Sequence, residues 1–310
     1  MNDENKNSKK LSRREFITAT AVGGAVALTG VAALSPLKNA AEIPTIDEIL
    51  QKHYKEMTPE DKKVLFKKLE KKLEKQYHKK VKIGDPPPLK NVEFAMVINL
   101  GRCIGCRRCV YACMKENNTS RNPQIQYIRV LKMKKGSINL EEGEHDYPAK
   151  ESADPNYYYM PVQCHQCRKP PCVEVCPVGA TWKEKDGIVV VDYNWCIGCR
   201  YCEAACPYHA RRFNWAKPHL SAEELNPDMA YLSNRPRYTN VMEKCTFCLQ
   251  RTRKGRYTAC VEVCPTGSRK FGNLRDPNSE VRKIIENERV FVLKEELGTI
   301  PQLYYVFSKA

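Results

Sequence analysis

Sixteen cysteines fall into four sets of four, with none left over. The sets are Cys103, Cys106, Cys109 and Cys113; Cys164, Cys167, Cys172 and Cys176; Cys196, Cys199, Cys202 and Cys206; and Cys245, Cys248, Cys260 and Cys264. Thiols this dense must be cross-linked or metallated, and either choice dictates the fold. A disulfide framework explains neither the two-residue spacing that recurs in every set nor the lack of stray cysteines. Zinc suits CxxC knuckles, but the CxxxC step followed by Pro177, Pro207 or Pro265 argues against it. An iron-sulfur cubane fits better. Three thiolates spaced two residues apart wrap the irons from a tight loop, and a fourth on the next helical turn points away from that loop. Gly198, inside the third set, lets the backbone approach such a cluster.

The third set, CIGCRYCEAACP, is the bacterial ferredoxin run, in which the fourth cysteine serves the neighbouring cluster of a two-cluster protein. CIGCRRCVYAC at Cys103 nearly repeats it, and CVEVCPVG at Cys172 returns as CVEVCPTG at Cys260, so the chain reads as internally duplicated. Loop lengths predict a different spatial pairing. Nineteen residues, with a strand over 187–192, separate Cys176 from Cys196, whereas fifty separate Cys113 from Cys164 and thirty-eight separate Cys206 from Cys245. The second and third sets therefore form a self-contained central unit, and the first and fourth pair around it. The expected fold is α+β, with two bacterial-ferredoxin-like units carrying four [4Fe-4S] clusters, inserted loops, and an N-terminal helical extension. Its segments are 1–40 (signal), 41–90 (extension and linker), 91–163 with 207–310 (first unit) and 164–206 (central unit).

A formal charge of +16 first suggests nucleic acid. Sixteen thiolates around four oxidised cubanes carry on the order of −8, however, so much of the excess base balances cofactor charge. Arg102, Arg107, Arg108, Lys169, Arg200, Arg211, Arg212 and Lys244 lie near ligands, where positive charge raises a reduction potential. Taken singly, each reads as a solvated surface residue. His165 and His209 adjoin ligands and read as ordinary exposed histidines. Neither a phosphate loop, a nucleophile-base set nor a CxxCH haem site occurs.

Ahead of the cysteines, Arg13 and Arg14 followed by Phe16 and a weakly apolar stretch read as a Tat signal. The competing reading is a membrane anchor, for which Ile17 to Leu34 is short and rich in alanine, threonine and glycine. Tat export carries folded proteins, so it also explains free thiols bound for an oxidising compartment. Thr58, Pro59 and Asp61 predict a helix start. Val64, Leu65, Leu69, Leu73 and Tyr77 mark the buried face of that helix, opposite a lysine-rich face that reads as solvated rather than lipid-docked. Gly84 to Pro88 reads as a stiff linker.

The four sets, the CxxCx11CxxxCP form of the last, Pro170-Pro171 inside the second and the tail from Val292 to Pro301 resemble the four-cluster iron-sulfur subunits of the DMSO reductase and polysulfide reductase families. The exported DsrO-like and NrfC-like members are nearest, and the likeness covers roughly 92–305. The resemblance implies ligand sets with the fourth cysteine exchanged. These are Cys103, Cys106, Cys109 and Cys264; Cys245, Cys248, Cys260 and Cys113; Cys164, Cys167, Cys172 and Cys206; and Cys196, Cys199, Cys202 and Cys176.

It also implies an electron-transfer subunit that is no enzyme on its own, working at the outer, periplasmic face of the cytoplasmic membrane. The implied partners are an NrfD-type quinone-reactive membrane subunit and a periplasmic reductase or multihaem cytochrome c, with no nucleic acid. A periplasmic hydrogenase or molybdopterin oxidoreductase complex is the alternative setting, and an exported zinc module is the alternative class. The inserts at 114–160, with Tyr157, Tyr158 and Tyr159, and at 214–243, with Trp215, Tyr231 and Tyr238, serve either to dock partners or to cap clusters.

Overall fold

The computed structural model describes residues 52–308. Helix α1 (Pro59–Tyr77) starts where the sequence places it: the Thr58 side chain accepts from the Asp61 N–H, and Asp61 accepts from the Thr58 N–H. Its buried stripe is Leu69, Leu73 and Tyr77, joined by Phe66 rather than Val64. Val64 is 70% exposed, because it lies two residues off the face on which Phe66 stacks against Tyr231 at 5.2 Å. Lys63, Lys67, Lys68, Lys71, Lys72 and Lys75 are exposed. No helix among the described residues is long and apolar enough to cross a membrane.

The proline stretch, expected as a stiff linker, is packed onto the body. Strand β1 (Lys82–Gly84) pairs in parallel with β8 (Asp228–Ala230) of the second insert, and Ile83 is buried there. Proline lacks an N–H but keeps its carbonyl, and Pro86 O accepts from Arg253 Nη1 at 2.9 Å. The segment is thus strapped onto the body. Asp85, at its start, takes the Tyr54 hydroxyl and Lys62 Nζ.

Two antiparallel pairings organise the cysteine-bearing body, and they are equivalent. Strand β2 (Phe94–Asn99) precedes the first set and β10 (Arg269–Asn273) follows the fourth, with Arg269 opposite Ile98. In the central unit β5 (Thr181–Lys183) follows the second set and β6 (Val189–Val191) precedes the third, with Thr181 opposite Val191. Both registers place the residue five after one set's last cysteine opposite the residue five before its partner set's first. Helices repeat the relation: α2 (Arg108–Glu116) packs on Ala259–Glu262, and Pro171–Glu174 packs on Tyr201–Ala204. The duplicated sequence thus becomes two units built alike. The first is extended into a four-stranded sheet by β12 (Leu303–Val306), parallel to β2, and by β11 (Val290–Phe291).

The inserts settle over these units. In the first, β4 (Tyr157–Val162) pairs with β3 (Arg129–Lys134), which lays Tyr159 over the Gly105 loop, and Tyr147 Oη donates to Gly105 O at 2.7 Å. The second insert is closed at its base by β7 (Arg212–Phe213) pairing with β9 (Met242–Glu243). Within it Tyr231, Arg235 and Arg237 are almost wholly buried. Arg237 pairs with Glu243 at 3.1 Å, while Tyr127 Oη donates to Glu243 at 2.5 Å. Both inserts therefore act mainly as caps. Trp215, 65% exposed, and Ile138, 82% exposed, are exceptions.

Candidate metal centre

Each CIGCR sequence forms the same loop. Gly105 and Gly198 share a φ of +71°, and the following Arg107 and Arg200 are left-handed at the helix entry. A side chain at Gly105 would run into the Tyr159 ring, and one at Gly198 into the Asn240 carbonyl. Glycine is required there by backbone sign and neighbour contact, beyond the close approach to a cluster expected of Gly198. The loop N–H groups of Gly105 and Gly198 point at Cys103 and Cys196. Elsewhere Phe247 N–H reaches Cys245 Sγ at 3.4 Å, Met242 N–H reaches Cys196 Sγ at 3.5 Å and Ala210 N–H reaches Cys206 Sγ at 3.5 Å.

The folded chain gathers the sixteen thiols into four quartets. One cavity is lined by Cys176, Cys196, Cys199 and Cys202. A second is lined by Cys164, Cys167, Cys172 and Cys206. In each, the last cysteine of one set completes the other set's trio. In the outer unit Cys103 feels Cys264 and Cys106, and Cys109 feels Cys260 of the neighbouring quartet foremost among thiols and then Cys103 and Cys106 of its own loop. Cys113, on α2, feels Cys245, Cys248 and Cys260 instead. Asn117 Nδ2 bridges that gap, donating to Cys113 Sγ at 3.4 Å and to Cys248 Sγ at 3.8 Å. We call the quartets A (Cys103, Cys106, Cys109, Cys264), B (Cys113, Cys245, Cys248, Cys260), C (Cys164, Cys167, Cys172, Cys206) and D (Cys176, Cys196, Cys199, Cys202).

The quartets lie in the order A, B, C, D. Helix packing couples A to B and C to D, while Cys164 of C is the foremost charge neighbour of Cys245 of B. Gln166 closes that seam: its Nε2 donates to Cys245 O at 2.7 Å and its Oε1 accepts from Val189 N–H at 2.8 Å. All four cysteines of C are buried, whereas Cys103 and Cys106 of A are half-exposed and Cys199 of D is exposed.

These quartets fit cubanes. Burial pushes the Cys109, Cys167, Cys202 and Cys245 thiols up to about 12, and lifts Cys113 and Cys248 well above the usual thiol range. No protein group therefore ionises them, and a bound cationic core does so outright. Among the described residues no three His, Cys, Asp or Glu side chains converge tightly enough for a single ion. Orphaned donors lie beside the thiols: Arg211 Nη1, of a residue lining both cavities, and Arg269 Nε and Nη1 have no hydrogen-bond partner among the described residues. A bound [4Fe-4S] core supplies one-electron redox chemistry, which the protein orients and tunes.

Three residues expected at the surface are not there. Arg211 and Lys244 are buried, Lys244 Nζ donating to the carbonyls of Val189 and Cys245. His165 is buried too, stacked on Tyr208 with ring centroids 3.8 Å apart, and burial lowers its pKa to about 3. It is therefore neutral. His209 is exposed, as expected. Arg269 escaped the sequence reading, although CPTGSRKF echoes CPYHARRF and puts Arg269 and Arg211 each five residues after a last cysteine.

Comparison with known proteins decides the family. Models described as a 4Fe-4S dicluster domain match residues 155–226, and residues 102–180 with 195–268. A selenate reductase subunit from Mesobacillus selenatarsenatis is 35% identical over 97% of this chain and 99% of its own length. The chain belongs to the iron-sulfur subunits of the dimethyl sulfoxide, polysulfide and menaquinol reductase family. Within that family, the menaquinone reductase iron-sulfur cluster-binding subunit of Nitratidesulfovibrio vulgaris is 41% identical over 69% of this chain and 89% of its own. A polysulfide reductase chain from Wolinella succinogenes is 34% identical over 70% and 95%. These two shorter relatives match about the share of the chain that holds the cysteines. The selenate reductase match is too long to omit the α1 extension.

Proposed function

We propose that this chain relays electrons one at a time through four [4Fe-4S] clusters, held by quartets A to D, between a quinone-reactive integral membrane subunit of the NrfD type and a catalytic reductase subunit. Like its relatives it is an electron-transfer subunit of an oxidoreductase complex and not the catalytic subunit. The single observation that carries the reading is the linear order of the quartets, with a sealed middle and open ends. A branched or closed arrangement would have no reason to leave only terminal thiols near the surface.

The two ends differ in chemistry. Exposed Tyr201 and Trp215 rim quartet D, with Arg200 over the Trp215 ring at 4.3 Å, and aromatic side chains of this kind suit a membrane-proximal contact. His53, at the start of the described chain, packs on Trp182 and Trp195 beside Cys176 and Cys196. Arg102, Arg107 and Arg108 lie in or beside the Cys103–Cys113 segment, which also exposes Tyr111. We assign D to the quinone side, on its exposed Trp215 and Tyr201, and A to the reductase side. The reductase is favoured over a cytochrome because the relatives are named as subunits of reductases.

Arg13 and Arg14 lie outside the described residues, and their twin-arginine pattern supports Tat export to the outer face of the cytoplasmic membrane. Fractionation tests location and partner together. Detergent-solubilised membranes are expected to yield the protein with a multispan subunit. Arg13→Lys combined with Arg14→Lys is expected to strand it in the cytoplasm with its clusters inserted, because the signal is an address and not part of the fold. Recovery of the wild type wholly as a free soluble monomer, or unchanged export of the double variant, contradicts the proposal.

A further inference from the structure

Each unit buries one arginine where its two quartets meet. Arg211 is 1% exposed and lines both the C and the D cavities. Its Nη2 donates to Cys172 Sγ at 3.0 Å and to Thr181 Oγ1 at 2.9 Å. Arg269, 2% exposed, lies against Cys260 of quartet B and against Cys109 and Cys103 of quartet A. Its Nη2 is held by Gln163 Oε1 and approaches Met96 Sδ at 3.4 Å. The two arginines come from equivalent sequence positions but from different partners in the unit. Arg211 follows the third set and reaches into the second, while Arg269 follows the fourth set and touches its own third cysteine.

A cation this deeply buried needs a compensating negative charge. Every other arginine of comparable burial has one: Arg253 pairs with Asp186, Arg237 with Glu243 and Arg235 with Asp192. Among the described residues Arg211 and Arg269 pair with no carboxylate, and the foremost charges they meet are thiol sulfurs. Their counter-charge is the thiolate-ligated core on either side. Lys244, the other buried cation near the ligands, spends its donors on carbonyls and Gln166 Oε1.

We propose that Arg211 sets the reduction potentials of the C and D clusters, and Arg269 those of A and B, by fixing a permanent positive charge between the members of each pair. This rests on the four-cluster reading. Reduction adds one electron and no proton, so the added negative charge meets a guanidinium that stays protonated at all working pH. The closeness of the charge stabilises the reduced state and raises both potentials of the pair. It also offsets repulsion when both members of a pair are reduced, which lets electrons follow one another along the wire.

The test is an EPR-monitored redox titration of the full-length protein in its complex, with signals assigned to units by Cys106→Ser and Cys199→Ser. Arg211→Met is expected to shift the C and D reduction equilibria at least tenfold towards the oxidised form, which is about 59 mV for one electron, and to leave A and B where they were. Arg269→Met is expected to do the reverse. Arg211→Lys and Arg269→Lys keep the charge and are expected to hold all four potentials within threefold of wild type, even if a Met variant fails to assemble. Met variants that move the two pairs equally or not at all overturn the proposal, as do Lys variants that lower potentials by the full tenfold. Loss of cluster signals from the wild type itself would instead overturn the four-cluster reading.

Discussion

Asp186→Ala is expected to destabilise the fold by about 3 kcal/mol, the low end of the cost of breaking a buried ion pair, because Arg253 keeps only its longer contact to Glu184 at 3.6 Å. Asp186 is fully buried in the turn between β5 and β6, where its carboxylate takes Arg253 Nε at 2.7 Å and Nη2 at 3.1 Å. It also takes the Leu89 N–H at 3.4 Å, and its carbonyl takes the Phe94 N–H at 3.2 Å. Arg253 in turn donates to Pro86 O. One ion pair thus joins the central hairpin, the helix after Cys248, the N-terminal strap and the start of β2. A domain's whole stability is about 5–15 kcal/mol, so this loss should appear as a large fall in urea midpoint together with cluster loss on mild warming. The double replacement Asp186→Leu with Arg253→Met should recover part of the loss, because an apolar pair of similar volume leaves neither fully buried charge stranded, although the 12% exposed Glu184 loses its 3.6 Å contact with Arg253. A midpoint unchanged in Asp186→Ala would show that the node contributes nothing.

The second large effect follows from the exchange of fourth cysteines. Cys264→Ser should alter the same EPR signal as Cys103→Ser, although the two residues stand at opposite ends of the cysteine-bearing region. Cys248→Ser and Cys113→Ser should together define a different signal, and anaerobically prepared wild type should hold about sixteen irons and as many labile sulfides. Helix α2 is the physical reason. It carries Cys113 away from the loop of Cys103, Cys106 and Cys109 and seats it among Cys245, Cys248 and Cys260. Cys264 meanwhile lies near Cys103, where hydrogen bonds from Thr266 and the following N–H groups overcome burial and bring its thiol below the ordinary value. Grouping of Cys264 with Cys248 by EPR would refute these quartets.

Much of this was legible because the information is local. CIGCR fixes a loop whose glycine must take a positive φ, and the same letters at Gly105 and Gly198 give the same backbone. Thr58-Pro59-Glu60-Asp61 caps its helix by contacts within four residues. What escaped depends on tertiary placement. His165 and Lys244 look like surface residues until the Tyr208 ring and the carbonyls of Val189 and Cys245 close over them. Proline triplets usually read as spacers, but Pro86 keeps a carbonyl that Arg253, far along the sequence, can use. Arg237 in the second insert finds Tyr127 and Glu243 in separate segments, and no local pattern announces that network. Arg269 was within reach, since its offset from Cys264 matches that of Arg211 from Cys206.

Reduction by quinol tests the central claim most directly. A reduced quinone analogue mixed anaerobically with the intact membrane complex, followed by freeze-quench EPR, should reduce the clusters of this protein within turnover. The same analogue should leave the isolated, fully loaded protein oxidised over that interval, because on this proposal the quinone site belongs to the membrane subunit. Equally fast reduction of the isolated protein, or clusters that stay oxidised in the complex, would contradict a relay between a quinone-reactive partner and a reductase.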